Sequence, residues 1–338
     1  MVNIVLDSAK SLILYFSRYQ WIFYKLSMLR LDANESPFNS PENLYPNREL
    51  TTVKKLWGQY EHIPPSYIYL CNGTEESVDL CIRSFVEPFQ GEILTITPTR
   101  SVYTKRASVN RVTYRECLLS DNYQLDVDSL LSLVTDATKL IFICSPNSPT
   151  GNSFSRSDIE LILQRFDGFL VLDESFIDFC LQNSKISLLN TYNNLIILRS
   201  FSHAWSSAGA RLASIVAHPQ LIKKIEAVGL THPLNTFAIN YLNALLERRV
   251  EVHKWVRQIV EERIKVVLAL KALPLNLKVY HSDANFVFVT SDNKDFLHQY
   301  LLKHGVSVRN TGGGLRISIG MPRDNSILLS VLRTIKTE

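Results

Sequence analysis

Glycine is scarce in this chain, which contains 12 glycines among 338 residues. That is about half of the usual share of about 7%, so the glycines that do occur, such as Gly73 and Gly151, are more informative. The sequence also lacks internal repeats and low-complexity segments. With 46% hydrophobic and 20% charged residues, it is a globular protein and not a disordered one.

Cysteine pairs at metal-binding or redox spacing are also missing. The five cysteines form no Cys-x-x-Cys pair and have no histidine partners at ligand spacing: Cys71, Cys81, Cys117, Cys144 and Cys180. Most of them lie in apolar stretches, which is typical of buried free thiols in a reducing compartment. We therefore expect no metal site and a cytoplasmic protein.

Long runs of one charge and long apolar runs are missing as well. The net charge of +4 comes from lysines and arginines scattered among acids, which disfavours nucleic-acid binding. The N-terminal stretch is apolar and aromatic, but Lys10, Arg18 and Lys25 interrupt it, so no run is long enough to span a bilayer. We expect no membrane segment and an N-terminal helical arm over residues 1–30, packed on the body or on a partner subunit.

Beyond residue 48, short apolar runs alternate with helical patterns. KLIFIC (139–144), GFLVLDES (168–175) and NLIILRS (194–200) are three of these runs. Near-continuous apolar strands separated by helices predict an α/β fold with a mostly parallel sheet that is covered on both faces. Ligands bind beyond the carboxyl ends of such strands, where a single crevice would collect the polar residues that follow them.

The chain is long enough for a large domain and a smaller one. From about residue 219 helices dominate, and the apolar pattern over 237–273 is too long for one ordinary helix, so we expect a break near Arg248. Short strands and helices follow, as in a compact α+β domain. We predict a large domain over residues 31–240 and a small C-terminal domain over residues 241–338.

Two motifs place polar groups directly after predicted strands. In SPNSPTG (145–151) the prolines and glycine force a defined loop, and Asn147 between the prolines indicates a side chain held for hydrogen bonding. In VLDES (171–175) the position of Asp173 suits pairing with a cationic ring nitrogen or a metal. A helix N-cap is an equally good interpretation of Asp173 taken alone.

Other motifs suit anions. Gly73 and Thr74 in CNGTEE open a helix whose N–H groups and dipole favour a phosphate, although a capped helix start explains them equally well. In SFSHAWSSAGAR (200–211), two hydroxyls and Arg211 can cradle one phosphate through charge-assisted hydrogen bonds. Alternatively, Arg211 is a surface residue and His203 a core histidine.

Arginine occurs within two predicted strands near the C-terminus. Arg316 in LRISIG lies between apolar residues, so it must emerge at an edge or bind an anion, because an unpaired buried charge is costly. The functional interpretation is a bidentate grip on a carboxylate. Arg309 in VSVRN has the same two alternatives.

Taken in order, these motifs resemble those of the pyridoxal-phosphate aminotransferases with the aspartate-aminotransferase fold. The resemblance is closest to histidinol-phosphate aminotransferase, with threonine-phosphate decarboxylase as a near relative, and it runs from about Leu31 to the C-terminus. The motifs that carry it are LDANESPF, Tyr45–Pro46, NGTEE, PTRSVY, CSPNSPTGN, VLDES, SFSHAW with Arg211, and LRISIG.

The resemblance implies a role for each matching residue. Asp173 would pair with the pyridine nitrogen of pyridoxal or pyridoxamine phosphate and keep the ring electron-withdrawing. Phosphate contacts are implied for Gly73, Thr74, Ser200, Ser202, Arg211 and, from the second subunit of a homodimer, Tyr45. Contacts with a small anionic amino or keto substrate are implied for Asn34, Arg309 and Arg316.

Four residues depart from the family pattern around the same ring. His203 stands in place of the Schiff-base lysine, and Ser148, beside Asn147, in place of a cofactor-binding asparagine. Phe176 replaces a tyrosine that would bond the phenolic oxygen, and Arg100 replaces an aromatic residue that would stack on the ring. Because imidazole cannot form the covalent link of a primary amine, the resemblance implies impaired transamination and a cofactor that is not covalently bound. Arg100 could compensate in part by lying flat on the ring.

Three functions follow from this combination. The first is a histidinol-phosphate-type aminotransferase. The second is a modified enzyme that holds pyridoxamine phosphate non-covalently and uses His203 as a proton shuttle. The third is a non-catalytic protein that binds pyridoxal phosphate or another phosphorylated small molecule and acts as a regulatory partner.

Overall fold

The computed structural model describes residues 31–38, 40, 42–47, 50–181 and 184–335. The helical arm predicted over residues 1–30 lies outside the described residues. The chain divides into two units, residues 1–46 and residues 47–338, and the second unit holds the helices and strands named below.

Helices and strands alternate along the second unit as the sequence pattern predicts. The described α-helices are α1 (Thr51–Glu61), α2 (Thr74–Phe85), α3 (Val102–Val109), α4 (Val127–Ser132), α5 (Arg156–Arg165), α6 (Pro219–Val228), α7 (Thr236–Glu247), α8 (Arg249–Lys271), α9 (Lys294–Lys303) and α10 (Pro322–Arg333). The described strands are β1 (Ile68–Cys71), β2 (Glu92–Thr97), β3 (Thr113–Leu118), β4 (Thr138–Cys144), β5 (Phe169–Asp173), β6 (Leu195–Ser200), β7 (Ala213–Ala217), β8 (Lys278–Val279), β9 (Phe286–Thr290), β10 (Arg309–Asn310) and β11 (Leu315–Ser318).

Strands β1 to β7 form one sheet in the order β1-β7-β6-β5-β4-β2-β3. Neighbouring strands are parallel except around β7, which runs antiparallel to both β6 and β1. The mostly parallel sheet is therefore confirmed. The direction of β7 follows from its connection, because the twelve residues after β6 form a turn that lies at the carboxyl end of the sheet and contain no crossover helix.

Both faces of this sheet are buried against helices, as predicted. Along β4, Leu140, Phe142 and Cys144 pack into one apolar cluster, while Ile141 and Ile143 pack into a second cluster on the opposite face. The first cluster includes residues of α1, α2, α6 and α7, and the second includes residues of α4 and α5. This two-sided burial explains why the central strands are apolar without alternation.

The C-terminal part builds a smaller antiparallel sheet in the order β10-β11-β9-β8. Helices α8, α9 and α10 supply the residues that form a separate apolar cluster with this sheet. The predicted helix break is confirmed, since α7 ends at Glu247 and α8 begins at Arg249. The predicted boundary between residues 240 and 241 falls inside α7 and stays a prediction.

Four of the cysteines are buried and Cys180 is half-buried, and none of the five forms a disulfide. Within the described ranges, no group of three or more metal-ligating side chains comes together. Nor does any helix in the described part of the chain combine the length and apolar character needed to cross a membrane.

Candidate functional site

A cleft of about 380 Å³ opens where the segments after β2 and β6 meet the start of α2. Its lining includes six residues selected from the sequence: Thr74, Arg100, Ser200, Ser202, His203 and Arg211. Glu75 and Lys105 also line the cleft, and sequence reasoning missed both. The motifs that looked suited to a phosphate therefore converge on one cavity, as expected for parallel strands that end at the same edge.

Arg211 and the start of α2 form one end of this cleft. A Cβ added to Gly73 would lie 2.8 Å from Nη2 of Arg211, so the guanidinium lies directly against the glycine, whose φ is +83°. The Gly73 N–H donates to the Cys71 carbonyl at 3.0 Å. The N–H groups of Thr74, Glu75 and Glu76, which have no acceptor inside the helix, thus remain for an anion.

The serines of the turn complete this phosphate end. Ser200 is the last residue of β6, and its Oγ accepts a hydrogen bond from the Ser202 N–H at 3.2 Å. Arg211 forms no ion pair with any residue of the described ranges. Its Nη1 donates to the Ala208 carbonyl at 3.4 Å, which leaves Nη2 and Nε. Hydroxyls, helix N–H groups and this guanidinium together provide the contacts that a phosphate dianion needs.

Asp173 is fully buried at the end of β5 and contacts Arg100, which lines the cleft. Its Oδ2 accepts hydrogen bonds from Nη1 of Arg100 and, at 2.7 Å, from the Tyr103 hydroxyl. Its Oδ1 accepts from the Ser175 hydroxyl and, at 3.0 Å, from the Ser175 N–H. Four donors therefore occupy the four acceptor positions of this carboxylate.

Arg100 is held by this carboxylate, and it is not free to lie flat on a ring as the sequence suggested. Burial is the largest influence and lowers the pKa of its guanidinium, but the attraction to Asp173, the smaller contributions of Tyr103 and Cys144 and the hydrogen bond to Asp173 together outweigh burial, so the net shift is upward and the ion pair persists. Tyr103 was not singled out from the sequence. It lies three residues after Arg100, and burial followed by repulsion from Asp173 raises the pKa of its hydroxyl, which stays a neutral donor.

His203 packs its imidazole on Phe176, with ring centroids 4.7 Å apart and planes 27° apart. Burial, and then the positive charge of Arg100, lower the pKa of His203 to about 4, although Asp173 acts in the opposite direction. The imidazole is consequently neutral at pH 7. Phe176 is buried and meets Phe286 edge-on, so it fills the space beside His203 with carbon and offers no hydroxyl.

The depressed pKa of His203 predicts a pH-dependent stability. Its ordinary value is 6.5, and the folded value is about 4, so between these values the unfolded chain binds more protons than the folded chain. The contribution to the free energy of unfolding is fully present above pH 6.5 and is lost as the pH falls towards 4. We expect His203 to contribute a loss of about 1–2 kcal/mol between pH 7 and pH 5, measured by urea denaturation as the difference between the wild-type protein and His203→Gln, because the raised pKa of Glu61, about 7, acts in the opposite direction over this range in both proteins.

In His203→Gln this loss should disappear, because glutamine does not titrate. His281→Gln is the matched control, since the His281 side chain is 76% exposed. An unchanged pH profile in His203→Gln would mean that His203 titrates normally in the folded protein.

Asn147 and Ser148 use their side chains within the protein. Both amide hydrogens of Asn147 are donated, to the Pro98 carbonyl at 2.9 Å and to the Thr150 hydroxyl at 2.8 Å. The Ser148 hydroxyl accepts from Nη1 of Arg316 at 2.8 Å. The amide hydrogens of Asn147 therefore stabilise the loop, and none of them is left for a cofactor. A contact between the amide oxygen of Asn147 and a cofactor stays a prediction.

Arg316 and Arg309 are direct partners across β11 and β10. Arg316 is half-buried and lies over the Phe286 ring, 5.3 Å from its centroid. Burial, together with the charges of Arg309 and Arg100, lowers the pKa of its guanidinium. Neither arginine forms an ion pair within the described ranges, so the predicted role of both in binding an anionic substrate stays open.

Glu174, the second acid of VLDES, forms contacts within the protein that stabilise the fold. Its carboxylate accepts from the Lys185 N–H at 2.7 Å and pairs with Arg199 at 3.3 Å. Arg199 is buried and also pairs with Glu61 and Asp178. The two adjacent acids thus have different partners, and of the two only Asp173 contacts a residue that lines the cleft, Arg100.

Asn34 and Tyr45 belong to the first unit. Asn34 has a φ of +54°, and the Tyr45 N–H donates to Oε1 of Glu35 at 2.6 Å. The predicted contact of Tyr45 with the phosphate of a second subunit, and that of Asn34 with a substrate, stay predictions.

The comparison with protein families identifies the fold. The sequence model of the family described as aminotransferase class I and II matches residues 32–331. The chain belongs to this family. Class I and II aminotransferases depend on pyridoxal phosphate, and the mostly parallel sheet with its cleft at the carboxyl ends is the architecture expected from the sequence.

Known histidinol-phosphate aminotransferases are similar over nearly the whole chain. That of Bacteroides thetaiotaomicron is 35% identical over 309 residues, 90% of this chain and 89% of the relative. That of Parabacteroides distasonis is 36% identical over 312 residues, 90% of both chains. This chain is therefore a histidinol-phosphate aminotransferase-like member of the family.

Solved structures agree with this fold. The histidinol-phosphate aminotransferase from Clostridium acetobutylicum has a TM-score of 0.79 and 23% identity, over 86% of this chain and 90% of that one. The Sinorhizobium meliloti enzyme, in complex with pyridoxal phosphate, has a TM-score of 0.79 and 19% identity, over 89% of both chains. At these identities the likeness establishes the fold alone.

The residues of the cleft fit the family's cofactor unequally. The phosphate end offers Arg211, two serines and the start of α2, as described above. At the ring end, Arg100 and three other donors occupy the Asp173 carboxylate, so no acceptor position is left for a ring nitrogen. The phosphate group fits, and the pyridine ring does not fit this arrangement.

Proposed function

We propose that this aminotransferase-family chain binds a phosphorylated small molecule non-covalently and does not carry out ordinary transamination. The observation that supports this most directly is His203. A secondary ring nitrogen cannot form the covalent link that a lysine amine forms, whatever its protonation state. The proposal corresponds to a non-catalytic, regulatory member of the family.

The residues at the cleft form two regions, a phosphate-binding end and an uncharged side. Arg211, Ser200, Ser202 and the first turn of α2 hold the phosphate, with hydrogen bonds to charged groups each contributing about 1.5–3 kcal/mol. His203 and Phe176 form an uncharged wall, because the imidazole is neutral at pH 7. The ligand is therefore anchored at its phosphate and has no nucleophilic amine opposite it.

A second candidate is a modified enzyme that uses pyridoxamine phosphate with His203 as proton shuttle. Its support is that the neutral imidazole is a free base at pH 7. A pKa of about 4 counts against it, because only about one imidazole in a thousand is then protonated at pH 7 and available to return a proton. Catalytic acids and bases work best with a pKa near the operating pH.

The proposal retains the subunit arrangement and location implied by the sequence. We propose a homodimer, in which Tyr45 of the second subunit approaches the phosphate, located in the cytoplasm. Size-exclusion chromatography with light scattering of the purified protein tests the dimer separately from ligand binding.

The purified protein should not transaminate histidinol phosphate with 2-oxoglutarate. We expect a rate below about 10⁻² s⁻¹, against a typical enzyme value of about 10 s⁻¹. The Bacteroides thetaiotaomicron histidinol-phosphate aminotransferase, assayed in parallel, controls for the assay, and circular dichroism controls for folding. Turnover at an ordinary rate by the folded protein would remove this proposal.

Native mass spectrometry with pyridoxal phosphate and pyridoxamine phosphate, added separately, tests the mode of binding. After borohydride reduction, peptide mapping should find no pyridoxyl group on the peptide that contains His203. Preferential binding of the amine form to a dimer, with activity that His203→Ala abolishes, would favour the shuttle mechanism instead.

A further inference from the structure

The position of Arg100 indicates which kind of ligand the cleft accepts. Its guanidinium is anchored through one nitrogen, Nη1, which donates to Asp173 and, at 3.2 Å, to the Ser175 hydroxyl. No residue in the described ranges accepts a hydrogen bond from Nη2 or Nε of Arg100. The side chain also lines the cleft, so an anchored arginine with unused donors faces the ligand space.

Cations outnumber anions among the residues that line the cleft. Arg100, Lys105 and Arg211 line it, and the one acidic lining residue is Glu75. Arg100 is paired with Asp173, and Glu75 is paired with Arg106 outside the lining, so Lys105 and Arg211 have no ion-pair partner within the described residues. Arg316 adds a further cation that no described carboxylate neutralises. At the imidazole of His203, the charges of Arg100 and Arg316 lower the pKa, whereas Asp173 raises it.

This arrangement excludes a pyridinium ring from the Asp173 carboxylate. For a ring nitrogen to donate to Asp173, Arg100 would have to leave it, and a buried ion pair would be broken. The displaced guanidinium would then lie beside a second cation in a partly buried space. In effect, Arg100 supplies from the protein the positive charge that Asp173 would otherwise receive from a bound ring.

We propose that Arg100 makes the ring end of the cleft an anion site, so that the cleft binds a small phosphomonoester that also carries a carboxylate. Arg211 and the start of α2 hold the phosphate, and the unused donors of Arg100 hold the carboxylate in a planar fork. This inference rests on the proposed function, because it requires the phosphate end to bind its group.

Two probes that differ in one group test the proposal by isothermal titration calorimetry of the full chain. These are 3-phosphoglycerate, which has a phosphate and a carboxylate, and glycerol 3-phosphate, in which a hydroxymethyl group replaces the carboxylate. We expect 3-phosphoglycerate to bind about 10- to 100-fold more tightly than glycerol 3-phosphate, because one additional charge-assisted hydrogen bond contributes about that much affinity. Pyridoxal phosphate should bind no more tightly than glycerol 3-phosphate.

Variants of Arg100 test whether this residue causes the preference for 3-phosphoglycerate over glycerol 3-phosphate. In Arg100→Met this preference should fall to about twofold or less, while glycerol 3-phosphate binding persists. Because Arg100→Met leaves a buried carboxylate unpaired, the double variant Arg100→Met/Asp173→Asn serves as a second, neutral test and should give the same loss of preference. Arg156→Met, on α5 outside the cleft, removes an equal charge and should leave the preference intact.

The outcomes separate this inference from the proposed function. Equal binding of the two probes, or a preference that survives in both Arg100 variants, overturns the inference and leaves the phosphate site standing. Failure of both probes and of inorganic phosphate to bind overturns the proposed function as well. Tighter binding of pyridoxal phosphate than of 3-phosphoglycerate would show that Arg100 yields Asp173 to a ring.

Discussion

Arg100→Met is expected to lower the free energy of unfolding by about 3–5 kcal/mol at pH 7. Asp173 is fully buried, and Arg100 is the cation paired with it, so the substitution leaves a buried carboxylate uncompensated. The hydrogen bonds from Tyr103 and Ser175 remain, but neither group carries charge. Urea denaturation followed by circular dichroism measures the change.

The double variant Arg100→Met/Asp173→Asn distinguishes a lost ion pair from lost packing. Because asparagine removes the unpaired charge, the double variant should recover most of the stability that Arg100→Met loses. Arg156→Met provides the surface control, since exposed ion pairs contribute about 0–1 kcal/mol. A loss below about 1 kcal/mol in Arg100→Met would contradict a buried pair between Arg100 and Asp173.

The second large effect concerns the phosphate end of the cleft. Arg211→Met should weaken the binding of glycerol 3-phosphate about 100-fold, because at least one hydrogen bond between charged groups is lost, at about 1.5–3 kcal/mol each. The stability of the free protein should change little, since Arg211 is exposed and forms no ion pair with a described residue. Calorimetric titration measures the affinity, and urea denaturation measures the stability.

Gly73→Ala tests the same contact without removing the charge. Its added Cβ would lie 2.8 Å from Nη2 of Arg211, at a φ of +83° that alanine rarely adopts. The guanidinium must then shift, and we expect an affinity loss of about tenfold. Arg83→Met, on the exposed side of α2, is the matched control for Arg211→Met, because it also removes one positive charge. Unchanged affinity in both Arg211→Met and Gly73→Ala would place the phosphate elsewhere.

The sequence determined the elements of this fold and their order. Apolar runs such as Thr138–Cys144 and Phe169–Asp173 became strands of the large sheet, and the long helical pattern broke at Arg248. Buried strands and helix breaks depend on local composition, so they can be predicted from neighbouring residues. The prediction that His203 stands in place of a lysine likewise rests on the sequence alone.

The tertiary structure decided which partner each polar residue has. Arg100 and Asp173 are 73 residues apart in the chain, and Arg316 and Ser148 are 168 residues apart. No local pattern encodes such pairs, because they depend on how strand ends and loops meet after the sheet has formed. The sequence therefore predicted that Arg100 departs from the family pattern, and only the folded chain revealed that it pairs with Asp173.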